Sequence, residues 1–355
     1  MDHAAGRRGA EDRLPGGSLK PPIRAPRKLL RRAPRLAWGV GKDITLCGAL
    51  AAALPGEDEE RDARYDLVAG GSGIAFQLRI DDRWDPSTVS PHDPSVIHAA
   101  ARSASLRADV VEPPFDDELR ALVWERVVEC IDADLPPLAR GLLGLPEFGV
   151  ITGYGEGHVL FARTYGERSD ESSRVLADEA FVGDAAATIV FLDRGEGTDE
   201  ARLARDAIRR GAEVSASTSA ELDGARLYAG EAAFAAWIEG LLADVPPREA
   251  AQRAFVDHAR RVFLHDARRT AARFLRRVRR HFPDRVGAEL VRAAEAYAYV
   301  ADEVEKGGVR PFDASVVARF QDPSIRRGWA YGLERALVRE REAIAALRGA
   351  AAQAA

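Results

Sequence analysis

The chain has 355 residues, 46% of them hydrophobic and 30% charged, with a formal net charge of −5. That is ordinary globular composition with room for two domains, and the negative balance argues against nucleic acid as the main partner. Two cysteines, Cys47 and Cys130, cannot build a disulfide framework or a cysteine-based metal site and fit a reducing, cytoplasmic setting; no run of about 18 apolar residues offers a transmembrane helix.

Residues 1–35 hold Arg7, Arg8, Arg24, Arg27, Lys28, Arg31 and Arg32 among Gly and Pro, without the apolar stretch of a secretory signal. The expectation is a disordered basic tail. Ile44 to Leu54 is small and apolar and reads as a buried helix, with Asp43 as its N-cap. Pro55-Gly56 and the acidic run Glu57 to Asp62 read as a turn. A helix-like piece follows, interrupted at Gly70-Gly71-Ser72-Gly73. Pro94 to Leu106 predicts a helix, Ala108 to Val111 a strand, and Asp116 to Asp132 an amphipathic helix containing Cys130. Strands are expected at Pro137 to Leu143, Phe148 to Tyr154 and Val159 to Tyr165, the last two joined as a hairpin through Gly155-Glu156-Gly157, and another at Ala187 to Leu192. After Thr198 helical periodicity takes over: Asp199 to Ala212, Gly230 to Leu242, Pro247 to His281, Arg285 to Lys306 and Ser324 to Arg348. The division expected is therefore 1–35, 36–198 and 199–350, the last a helical bundle.

The order of elements, with the segments WGVGKD (38–43), GGSGIAF (70–76) and EFGVITGY (147–154), resembles the papain-like cysteine peptidase fold. It is similar to the leader-cleaving peptidase domains of bacteriocin exporters and to the N-terminal domain of the butirosin-biosynthesis acyltransferase. It is closer still to a bacterial family of unassigned function carrying those same three segments. The resemblance covers about residues 36–280 and implies an α/β fold (α+β in detail) followed by an α-helical domain.

In that fold a thiolate sits at the start of a helix, activated by the helix amides and an imidazole that an Asp or Asn orients. Cys47 is in the right helix and is the candidate nucleophile, though a small core side chain is the plainer reading of it. Gly41 stands where the oxyanion glutamine is expected, and Glu147 where the histidine is expected. None of Arg163, Thr164 and Tyr165 supplies the third member. A carboxylate at Glu147 would raise a thiol pKa rather than lower it. The chain therefore reads as a degenerate member of the fold that binds a small molecule or peptide in the former cleft; a thiol-dependent acyltransferase or amidohydrolase is the alternative.

The site expected is a polar cluster of Asp43, Lys42 and Glu147, with a Lys42–Glu147 ion pair as either a binding feature or a structural tie. Tyr154 and His158 of the hairpin are grouped with it, and Gly71, Ser72 and Gly73 could cradle an anion through backbone amides or merely allow close packing. No cofactor, metal or membrane partner is expected, and the oligomeric state is not legible. A weaker alternative makes the arginine-rich helix 253–280 a surface for nucleic acid or an acidic partner; pairing with Glu289, Glu295, Asp302, Glu303 and Glu305 would neutralise it.

Overall fold

The computed structural model describes residues 26–89, 93–142, 146–166, 173–176, 187–197, 199–215, 219–222, 224–308 and 312–354. The strands are β1 Pro26–Leu29, β2 Arg79–Asp81, β3 Leu106–Val111, β4 Leu138–Arg140, β5 Phe148–Gly155, β6 Val159–Arg163, β7 Ser173–Leu176, β8 Thr188–Arg194, β9 Ser219–Leu222 and β10 Ala225–Ala229. The helices are α1 Thr45–Ala53, α2 Asp58–Ser72, α3 Pro94–Ser103, α4 Asp117–Asp132, α5 Glu200–Ser215, α6 Glu231–Leu242, α7 Ala250–Val278, α8 Asp284–Lys306, α9 Ala314–Gln321 and α10 Pro323–Gln353. The class is mixed α/β. Among the described residues no helix is long and apolar enough to cross a membrane.

The main sheet is antiparallel, in the order β3-β8-β4-β5-β6-β7, with β1 added against β5. Alternation along β8 divides its two faces: Val190 and Leu192 join the core with α1, α2 and α3, whereas Ile189 and Phe191 join the core under α4. The basic stretch expected to be unstructured to residue 35 instead supplies β1, whose Lys28 and Leu29 pair with Tyr154 and Gly153; residues 1–25 lie outside the described residues.

Two other expectations change for local reasons. The acidic run Glu57 to Asp62 is not a turn but the start of α2. Glu57 and Glu60 form a reciprocal capping box there, and Asp58, Glu59 and Glu60 complement the positive end of the helix. Gly70 and Gly71 do not interrupt that helix either. A Cβ on Gly70 would sit 2.1 Å from the Phe274 ring, so the glycine lets α7 come close. A hairpin, β9–β10, interrupts the helical half and pairs with β2 in a second small sheet. Leu143 of the strand expected at 137–143 lies outside the described residues.

The switch to helices at residue 198 does not divide the core. One apolar cluster runs from Leu46 and Leu50 of α1 through Phe76, Phe263 and Phe274 to Leu290, Tyr297 and Leu347. Helix α7 runs along it, and the arginines of 253–280, weighed as a partner surface against neutralising pairs, make many of their pairs within the chain. Arg268 is wholly buried and reaches Glu340 through two bonds of 2.9 and 2.6 Å, while it donates to the carbonyls of Ala75 and Gln77. Arg261 is buried against Asp257, which also accepts from Trp237 Nε1 at 2.8 Å. Arg260 is buried beside Asp81. Outside, Arg269 pairs with Asp302 and Glu305, Arg273 with Asp66, and Arg280 with Glu200. Much of the positive charge is thus committed internally, and phosphates would have to compete for it.

Candidate functional site

The loop before α1 fixes the site. Gly39 and Gly41 both adopt left-handed backbone, with φ of +76° and +78°, which turns the chain twice in five residues. Asp43, expected to cap α1, closes this loop instead: its Oδ1 accepts from Gly39 N–H at 2.6 Å. The N-cap position falls to Ile44, which has no side-chain capping bond. The amides at the mouth of α1 go elsewhere. Asp43 N–H donates to Asp266 Oδ2 at 2.9 Å, and Ile44 N–H donates to Tyr65 Oη at 2.9 Å. Tyr65 Oη in turn donates to Asp266 Oδ2. Asp43, Tyr65 and Asp266 are all buried.

Two buried carboxyl groups side by side disfavour each other's ionised form. Burial, then the Asp266 charge, push Asp43 up to about 7 against the lowering effect of the Gly39 and Gly41 amides. Asp266 is raised by burial, with the Tyr65 hydroxyl opposing.

Glu147 forms the second half of the site, one residue before β5. Its Oε1 accepts from Trp38 Nε1 at 3.0 Å. Its Oε2 is buried and has no hydrogen-bond partner among the described residues. Burial raises its pKa to about 7, and the Trp38 bond opposes the rise. Tyr165 joins the halves: its Oη donates to the Lys42 carbonyl at 2.6 Å and its ring meets Trp38 at 5.0 Å between centroids. Gly48 of α1 faces that hydroxyl so closely that a Cβ would fall 1.9 Å from it. Thr45 Oγ1 accepts from Phe148 N–H at 3.3 Å and ties the first turn of α1 to β5. Trp38 and Val40 stand exposed at the rim, by 42% and 63%.

Asp43 and Glu147 each have a partner in the loop before α1, Gly39 and Trp38 respectively; the other candidates divide. The Lys42 ammonium turns to Asp62 of α2 rather than Glu147, so only the Lys42 carbonyl belongs to the site. Cys47 is the third residue of α1 and wholly buried, and burial together with Asp266 pushes its thiol well above the ordinary value. This setting disfavours a thiolate nucleophile. Gly71, Ser72 and Gly73 end α2 and form no anion cradle: Gly71 abuts Ser103, Ser72 Oγ donates to Ala69 O at 3.3 Å, and left-handed Gly73 closes the helix by donating to Gly70 O. Tyr154 and His158 belong to the α4 side. Tyr154 Oη donates to Asp132 Oδ1 at 3.1 Å, and the His158 ring lies 4.7 Å from Trp124.

Asp266 and Tyr65 are residues of the candidate site that sequence reasoning passes over, and Tyr165 is one it sets aside as a triad member. For Asp266 a signal existed. It lies four residues after Val262 and three after Phe263, on the apolar stripe of α7, where a lone carboxylate needs a buried partner. Among the described residues no three side chains of His, Cys, Asp or Glu gather as metal ligands. The chain matches no family model, and a search of curated proteins finds no match.

Proposed function

We propose that this chain is a degenerate papain-like protein that binds a small ligand or peptide at the start of α1, with Glu147 as the polar anchor. The observation that carries the reading is the second carboxyl oxygen of Glu147, buried and without a donor among the described residues. Leaving such an atom unsatisfied costs about 1–3 kcal/mol, and an ammonium or amide N–H of a ligand would remove that cost. The exposed Trp38 and Val40 at the rim offer apolar contact beside it. An antiparallel sheet carrying α1 against β5 is consistent with the fold that the resemblance implies. The thiol-dependent alternative is weakened by the burial of Cys47.

The test is a thermal-shift screen of the full chain against primary amines and short peptides at pH 8. A ligand that raises the melting temperature of the native chain and has no effect on Glu147→Gln supports the reading. Equal responses from the two proteins refute Glu147 as the anchor.

A further inference from the structure

A cleft of about 500 Å³ opens between the end of α3, the start of β3 and the start of α5. Its shape follows from the backbone. Ser105 takes a left-handed conformation, φ +58°, to turn α3 into β3, and the loop after β8 leans on that turn, Gly195 N–H donating to Ser105 O at 3.0 Å. Its floor includes Ala99, Leu106 and Leu203, all buried. Its walls carry Arg102 and Arg107 on one side and Arg202 and Arg210 on the other.

Arg210 is half-buried, anchored by one nitrogen that donates to Gly71 O at 2.6 Å. Burial and then the neighbouring positive charge of Arg102 act against its own charge. Three carboxylates also line the cleft. Asp206 is shared with Arg202 and Arg209, Asp199 accepts from Ala201 N–H at 3.0 Å, and Glu196 is exposed at the lip. Two guanidiniums that repel each other over an apolar floor favour a ligand with a doubly charged head and an apolar body. A phosphoryl group fits better than a carboxylate, because its terminal oxygens can accept from both arginines at once.

We propose that this cleft binds a small phosphorylated molecule, its phosphoryl group held between Arg102 and Arg210 and its body resting on Leu106 and Leu203. The protein as a whole is anionic, so a local cationic cleft of this size suits a small anion rather than a polyanion. The site is separate from the Glu147 cluster and does not depend on it.

Differential scanning fluorimetry with phenyl phosphate as the probe, and benzoate as its carboxylate counterpart, tests the proposal. The native chain should show a saturable rise in melting temperature with phenyl phosphate and a much smaller one with benzoate. Arg102→Glu should weaken the response roughly ten- to a hundred-fold, read against that variant's own unliganded melting temperature. Arg210→Gln should weaken it as well, and Arg327→Glu, the same charge change away from the cleft, should not. The proposal is overturned by no saturable rise at millimolar phenyl phosphate, by an Arg102→Glu response like that of the native chain, by an equal loss in Arg327→Glu, or by a benzoate response equal to that of phenyl phosphate.

Discussion

Replacing Glu147 by glutamine should make the protein more stable at neutral and alkaline pH, although it removes a charged side chain next to a tryptophan donor. The carboxyl is raised from 4.5 to about 7 in the folded chain, with burial as the main cause. A folded-state value above the unfolded one means that the folded protein holds the proton more tightly. The neutral carboxyl is therefore fully compatible with folding below pH 4.5, and stability declines as pH rises from there to about 7. Above that the folded chain carries the whole penalty, about 3 kcal/mol at 1.36 kcal/mol per pH unit. Glutamine is neutral at every pH and keeps an oxygen for Trp38 Nε1. For a chain of this length about 3 kcal/mol corresponds to a melting temperature about 4 °C higher. Calorimetry of both proteins from pH 4 to 9 should give curves that coincide at the acid end and separate through neutrality. Coincident curves at pH 8 would sink the argument that the carboxyl is desolvated. A variant less stable at pH 8 would mean that Glu147 is ionised there and has a cationic partner.

Three further outcomes follow from the same cluster. Tyr65→Phe strips the acceptor from Ile44 N–H and a donor from Asp266, and urea titration should record a loss of about 2–4 kcal/mol. Gly48→Ala should cost about 1–3 kcal/mol by overpacking against the Tyr165 hydroxyl. Adding Tyr165→Phe should recover part of that loss, and a double mutant no better than the single one would place the strain elsewhere. Iodoacetamide at pH 8 should label the half-exposed Cys130 and leave Cys47 untouched until the chain unfolds, read by peptide mass; rapid labelling of Cys47 would reopen thiol chemistry.

Helix positions were largely legible because their signals are local. The helix expected at 116–132 is α4, with Asp116 accepting from Leu119 N–H as its cap, and the apolar spacing of the C-terminal half marks α5 to α8 and α10 within a few residues. The α2 start was misread because Pro55-Gly56 dominates its neighbourhood, while the capping box behind it depends on two glutamates whose meaning is geometric. The β9–β10 hairpin was missed because its pairing with β2 is remote in sequence. Glu147 and Asp43 stand out in the sequence because the hairpin and the loop each carry a recognisable segment. The packing around them is not legible there: Lys42, expected beside Glu147, faces Asp62, while Tyr65, unmarked in the sequence, faces Asp266.

The chemistry available at the start of α1 follows from which groups surround it. Asp43, Glu147, Asp266, Tyr65 and Tyr165 can each only become negative, and Cys47 would add one more negative charge to the same region. Two cations nearby among the described residues are engaged elsewhere: Lys42 is turned to Asp62, and Arg273, which acts on Asp266 through space, is bonded to Asp66 by three contacts of 2.7 to 3.1 Å. Activating a thiol requires the opposite surroundings, a cation or free helix amides directed at sulfur. The same arrangement suits a cationic ligand, whose charge would let Glu147 ionise. In the proposed reading, binding an amine releases the proton from Glu147, so affinity should climb as pH rises towards 7 and level off above it, for as long as the amine itself stays protonated.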